Sequence, residues 1–224
     1  MPNMTDEEMP MFFANPFKTR LPMKSEALAG RNTPLGGLKQ HCVLGTPLVP
    51  PFPEHLSRLV VGMGCFWGAE RLFWQVEGVY STAVGYSGGI TPHPTYEEVC
   101  SGQTGHTEAV LIIYDAGIVP LEALLKIFWE EHDPTQAMRQ GNDRGTQYRT
   151  ALYLDDDESL GCARQTAQIY GQALASAGYG AITTEIRKED NFFYAEDYHQ
   201  QYLHKNPNGY CGLAGCQVSA DFRL

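Results

Sequence analysis

Proline decides where regular structure can form in this chain. Nine of its 14 prolines fall within residues 1–57, at Pro2, Pro10, Pro16, Pro22, Pro34, Pro47, Pro50, Pro51 and Pro53. A proline ring locks φ and removes a backbone donor, so this density interrupts helices and ladders alike. An extended arm over 1–57 that lies on or flanks the rest is expected. A single domain over 58–224 then carries the fold. The arm also holds five of the seven methionines, at Met1, Met4, Met9, Met11 and Met23.

From Arg58 onward the hydrophobic pattern becomes regular. Leu59-Val60-Val61 reads as a short buried strand, Val79–Tyr86 and Ala109–Tyr114 (AVLIIY) as two more, and Thr150–Leu154 and Ile182–Ile186 as a fourth and fifth. Between them, Phe66, Ala69, Phe73 and Val76 recur at helical spacing, and Pro94-Thr95 opens a short helix through Val99. Pro120 precedes a helix with Leu121, Leu124, Leu125, Phe128 and Trp129 on one face. Asp155–Asp157 cap a helix over about 158–176, and a last helix is expected over 195–205 before a glycine-rich tail. Interleaved strands and helices around one sheet give an α/β or α+β class.

Charge narrows the partners. Sixteen Lys plus Arg against 26 Asp plus Glu leave a net charge of −10. Such a surface repels phosphate backbones and anionic lipid, so neither nucleic acid nor a membrane is an expected partner. No apolar run approaches the roughly 18 residues that span a bilayer. The opening MPNMTDEEMPMFF has acids where a secretory signal has Lys or Arg, so the expectation is a cytoplasmic protein with reduced thiols. Any disulfide among its six cysteines would then be catalytic.

The sharpest local feature is GMGCFWGAERLFW, in which Cys65 follows a strand, lies between Gly64 and Gly68, and opens a helix. Free amides and the positive helix end favour thiolate there, and such positions can lower a cysteine pKa from about 8.5 to roughly 3.5–7.5. In the tail, Cys211 and Cys216 are flanked by Gly209, Gly212 and Gly215, which suits thiols that reach another sulfur. With only His199 and His204 nearby, zinc is poorly served, and no metal is expected. Glu108 leads into the apolar strand, where burial would raise its pKa and make it a proton donor. The residues alone also admit a cysteine hydrolase or amidase using Cys65 with His106 or His199, a thiol peroxidase, or a redox-sensing binding protein.

Five stretches, GCFWGAE, GYSGG, PTYEEVCSGQTGHTEAV, GNDRGTQYR and YAEDYHQQYLHKNPNGYCG, together resemble the A-type peptide methionine sulfoxide reductases. The resemblance runs from about Val60 to Gly212, with a shorter match at Ala29–Pro34, and the arm resembles the N-terminal extension of longer bacterial members. It implies an α+β two-layer sandwich around a mixed sheet. It also implies reduction of the S epimer of methionine sulfoxide, in proteins and free. Cys65 matches the nucleophile, Phe66 and Trp67 the pocket for the ε-methyl group, and Glu108 the acid for the sulfoxide oxygen. Tyr96 and Tyr148 match phenols that hydrogen-bond that oxygen, Asp143 an ordering carboxylate, and Cys211 the resolving cysteine. The implied cycle passes through a sulfenic acid and a disulfide, is reset by thioredoxin or dithiothreitol, and needs no cofactor; a monomer is expected. Members with three cysteines carry the last one farther along the tail, so Cys216 is a displaced relay candidate.

Overall fold

The two most apolar strands pair at the centre of the molecule. The computed structural model describes residues 15–188 and 191–222; Met1, Met4, Met9, Met11, Pro2 and Pro10 of the arm lie outside them. Strand β1 (Ser57–Met63) runs antiparallel to β3 (Thr107–Tyr114), with Val61 opposite Val110. On one side β2 (Val79–Ser87) pairs antiparallel with β3 and carries β8 (Phe192–Tyr194) at the edge. On the other side β6 (Thr150–Leu154) pairs antiparallel with β1, and β7 (Glu185–Lys188) joins β6 in parallel. The sheet order is therefore β7-β6-β1-β3-β2-β8, a mixed sheet. A separate two-stranded ribbon joins β4 (Arg139–Gln140) to β5 (Asp143–Arg144).

Alternate residues of each strand point to opposite faces. Leu59, Val61, Val110, Ile112, Leu152 and Leu154 share one core with helices α1 (Phe66–Phe73), α3 (Leu121–Glu131) and α4 (Asp157–Ser176). Their neighbours Val60, Ala109, Leu111, Ile113 and Tyr153 face the other way, onto Leu48, Phe52 and Leu56 of the arm. Covering both faces explains why the strands read as continuous apolar runs rather than alternating ones. The helix ends follow their sequence signals. The Asp156 carboxylate accepts from the Ser159 amide at the start of α4, and Thr95 forms a reciprocal capping box with Glu98 at α2 (Tyr96–Cys100).

The arm is held by named bonds. Its buried His41 Nε2 lies 2.9 Å from Thr82 Oγ1, Thr46 Oγ1 donates to the Tyr80 carbonyl at 2.7 Å, and Arg31 grips Glu98 with two 2.9 Å bonds.

Three expectations shift. The strand expected at Ile182–Ile186 begins at Glu185, and Phe192–Tyr194 forms an edge strand that the pattern did not signal. The helix expected over 195–205 shrinks to α5 (Tyr202–Lys205). Its first half is diverted because polar side chains find better partners in the core. Gln200 accepts from the Val84 amide and donates to the Val84 carbonyl, both at 2.9 Å, completing the edge of β2. Gln201 adopts φ 46° and binds buried Glu70 through both its amide and its side chain. The tail is likewise not loose throughout. Leu213, Cys216, Val218 and Phe222 join the helix-side core, and the Glu130 carboxylate accepts from Ser219 Oγ and the Ala220 amide.

Candidate active site

Strand β1 is followed by Gly64, in a backbone conformation and at a spacing that disfavour any side chain. Gly64 has φ +86°, and a Cβ there would come within 2.5 Å of Gln140 Cβ. The turn delivers Cys65 to the N-cap of α1, where the first helical amides lack intrahelical partners. The Phe66 amide donates to Glu108 Oε2 at 3.0 Å, and the Trp67 amide points at the Cys65 sulfur.

Glu108 is the second residue of β3, opposite Tyr86 of β2, and is only 2% exposed. Burial pushes its carboxyl up to about 8; the Phe66 amide lowers it and the Asp143 carboxylate raises it further. At neutral pH this group carries a proton. The same surroundings overturn the expectation of a lowered Cys65 pKa. Desolvation, then the charges of Glu108 and Asp143, push the thiol well above its ordinary value, and the Trp67 amide offsets only part of this. In the resting site both groups are protonated.

Two phenols converge on this pair. Tyr96 opens α2 and Tyr148 closes a 3-10 turn at Thr146–Tyr148. Burial raises both phenols, helped at Tyr96 by the Cys100 thiol that its hydroxyl bonds and at Tyr148 by the Glu108 charge, so both keep their protons. Asp143, on β5, is half-buried and raised by burial, and Tyr210 Oη donates to its Oδ2 at 3.4 Å.

Aromatic rings close the other side. Phe66 is buried and lies 6.4 Å from the partly exposed Trp67, measured between ring centres. The Trp67 indole stacks on Tyr202 at 3.9 Å and donates through Nε1 to His199 Nδ1 at 3.2 Å. His199, 4.5 Å from the Tyr96 ring, is lowered to about 4 by burial and stays neutral. Its Nε2 therefore carries the proton and lies 4.0 Å from Glu196 Oε2. Glu196 in turn accepts from Tyr86 Oη and from the Tyr96 amide, both at 2.9 Å. Sequence reasoning missed Glu196 and Tyr202 as parts of this site, and Glu70 as the buried anchor of Gln201 beside it. Their signal was available as acids and aromatics packed into GCFWGAE and YAEDYHQQY, but a helical reading of the second hid it.

Both candidate histidine bases are committed elsewhere. His106 Nδ1 accepts from the Gly89 amide at 3.0 Å and its Nε2 bonds the Thr91 carbonyl at 2.7 Å. His199 supports the Trp67 indole.

The two tail thiols part company. Cys211 is exposed and its Sγ accepts from Arg71 Nη2 of α1 at 3.2 Å. Cys216 is buried, bonded to the Asp133 carboxylate, and raised to about 12 by desolvation and that charge. The expectation of two thiols sharing an exposed loop is thus corrected: packing against α3 and α4 takes Cys216 out of it. The structure brings together Cys65, Phe66, Trp67, Tyr96, Glu108, Asp143, Tyr148 and Cys211, and leaves Cys216 apart.

Comparison with known proteins points the same way. The family model described as "Peptide methionine sulfoxide reductase" matches residues 57–223. A peptide methionine sulfoxide reductase MsrA of Saccharophagus degradans is 56% identical over 94% of this chain and 98% of its own. One from Rhodospirillum centenum is 60% identical over 90% and 92%. Among solved structures, methionine sulfoxide reductase A of Corynebacterium diphtheriae superposes with a TM-score of 0.81 at 47% identity, covering 86% of this chain and 93% of that one. Reduced Mxr1 of Saccharomyces cerevisiae gives 0.65 at 32%, covering 75% and 94%.

Proposed function

The chain belongs to the peptide methionine sulfoxide reductase family and reduces methionine sulfoxide to methionine, and we propose the following division of labour among its residues. The observation that carries it is a buried carboxyl, Glu108, held protonated beside a protonated thiol, Cys65. A sulfoxide oxygen leaves sulfur only when protonated or strongly hydrogen-bonded. Glu108 supplies the proton, and Tyr96 and Tyr148 supply hydrogen bonds that strengthen as the S–O bond breaks. Phe66 and Trp67 take the ε-methyl group, with Tyr202 and His199 bracing the indole. Asp143 raises both titrating groups and anchors Tyr210.

Cys65 Sγ attacks the sulfoxide sulfur. The oxygen passes to Cys65, methionine leaves, and the thiol proton replaces the one that Glu108 gives. The sulfenic acid on Cys65 then condenses with Cys211, losing water, and an external dithiol resets the disulfide. Thioredoxin is the reductant we assign, with dithiothreitol as its laboratory substitute; no resident cofactor enters these steps. Because a sulfoxide sulfur is chiral, a site that presets methyl, oxygen and peptide directions takes one epimer, assigned here as S. Oxidised methionine in proteins and the free amino acid are both substrates in this reading. The catalytic apparatus lies within 58–224 of a single chain, with the arm as cover for the sheet, and we assign a monomer. A reducing cytoplasm, where thiols persist between cycles, is the location we assign. Burial of Cys216 favours a cycle that ends at Cys65–Cys211.

The test is a single turnover of reduced enzyme with each epimer of methionine sulfoxide. The expected result is one methionine from the S form, a trappable sulfenic acid on Cys65, and a rate that falls as pH rises through about 8, where Glu108 loses its proton. Equal release from both epimers, or a rate that rises through that range, overturns the assignment.

A further inference from the structure

The resolving thiol has a built seat on the nucleophile's own helix. Cys65 is the N-cap of α1, and Gly68 and Arg71 follow at spacings of three, which puts successive side chains on one side of a helix. A Cβ at Gly68 would lie 2.9 Å from Cys211 Sγ and 3.2 Å from Leu213 Cβ, so the absent side chain is the space that the tail occupies. Beyond it, Arg71 Nη2 donates to Cys211 Sγ at 3.2 Å. The neighbouring Tyr210 is tied by its hydroxyl to Asp143. The Cys211 sulfur is thereby held over the first turns of α1, with Cys65 at one end of the face and Arg71 at the other.

We propose that Arg71 is the positioning residue of the resolving step, holding Cys211 Sγ over Gly68 and within reach of the oxidised Cys65. This rests on the reading of Cys211 as the resolving thiol. In the step served, Cys211 sulfur attacks the sulfur of the Cys65 sulfenic acid. The S–S bond forms, the S–O bond breaks, and the hydroxide that leaves takes the Cys211 thiol proton to become water. Cys65 sulfur is reduced and Cys211 sulfur oxidised, so no outside oxidant enters. A guanidinium can only donate, so Arg71 holds the Cys211 sulfur through its lone pair and leaves it oriented to attack. Arg71 touches neither the methyl pocket residues nor Glu108 in the hydrogen bonds of the site, so its effect falls on the second step alone.

The experiment mixes reduced full-length enzyme with one equivalent of methionine S-sulfoxide. It follows three products: methionine, the dimedone adduct of Cys65, and the Cys65–Cys211 disulfide. Arg71→Met is expected to release methionine within twofold of the parent rate while forming the disulfide at least tenfold more slowly, with the dimedone adduct accumulating. Arg71→Lys should recover part of that loss. Gly68→Ala, which fills the seat with a methyl group while favouring helix, should slow the same step. Turnover driven by dithiothreitol, which reduces sulfenic acid directly, should survive in Arg71→Met, and turnover driven by thioredoxin should fall. Disulfide formation at the parent rate in Arg71→Met overturns the proposal, as does an equal slowing of methionine release. A parent enzyme that forms no Cys65–Cys211 disulfide overturns the assignment of Cys211 itself.

Discussion

Cys65 and Cys211 meet across one helix but belong to regions built in opposite ways. Around Cys65, the start of α1, strand β3, α2 and the 3-10 turn each supply one reactive side chain, and every one is at least half-buried. Glu108 is fixed by its place in the central sheet and by the Phe66 amide. Around Cys211 the backbone is irregular and exposed, and the contacts are two side-chain hydrogen bonds and a glycine. The difference follows from the chemistry of the two steps. Protonating a sulfoxide needs a carboxylic acid kept neutral, which only a low-dielectric, preset site provides. Resolving and then exchanging a disulfide needs a thiol that can approach one sulfur and later present itself to another protein.

Measured on the first turnover, Cys65→Ser should break the contrast most completely. A serine hydroxyl cannot replace thiol chemistry at sulfur, so methionine release should drop below a few per cent of the parent; more than that removes Cys65 from its role.

Glu108→Gln comes next, with a loss of about 10²–10⁴-fold in the rate of methionine release, the span of general acid catalysis. Its stability effect has the opposite sign. The folded pKa of Glu108, about 8, lies above the ordinary 4.5, so between those values the unfolded chain binds fewer protons than the folded one. Stability therefore falls as pH rises from about 4.5 to about 8 on account of this group. Gln should remove that slope, and melting temperatures followed from pH 5 to pH 9 would show it. A variant that keeps both the parent rate and the parent slope would transfer the acid role to Tyr96 or Tyr148.

Cys211→Ser should leave the first methionine untouched and stop thioredoxin-driven turnover, with sulfenic acid persisting on Cys65. Sustained turnover would mean that Cys216 reaches Cys65 directly.

The smallest effect belongs to Cys216→Ala. Removing a sulfur from the buried tail should cost stability on the order of 1 kcal/mol, as small core truncations do, and should leave turnover intact. Reduced parent enzyme given excess methionine sulfoxide and no reductant should release about one methionine and end as Cys65–Cys211 by peptide mapping. About two methionines and a Cys211–Cys216 linkage would restore the relay.

Much of this was legible in the chain. Short apolar runs of strand length marked β1, β2, β3 and β6, and the capping signals before α2 and α4 lie where the helices begin. These are local signals, and neighbouring residues suffice to express them. The segment from Glu196 to Gln201 was not legible because its conformation depends on distant partners. Gln200 pairs with Val84, 116 residues away, and Gln201 with Glu70, 131 residues away. Helical spacing in YAEDYHQQYLHK looks the same whether those side chains meet water or a sheet edge.

The reactive residue types and their order along the chain were thus determined by the sequence itself. A thiol at a strand-to-helix turn and an acid opening an apolar strand identify themselves, because such placements follow from local backbone chemistry. Their protonation states, and the fates of the two tail cysteines, were decided by the tertiary structure. Proximity to a helix end argued for a Cys65 thiolate. Packing then placed Glu108 and Asp143 beside that sulfur and removed water, and in a low dielectric those influences outweigh a few free amides. Two cysteines five residues apart in a glycine-rich tail look equivalent on paper. One came to rest against Arg71 over Gly68, the other between two helices against Asp133, because each is placed by surfaces that exist only once the rest of the chain has folded.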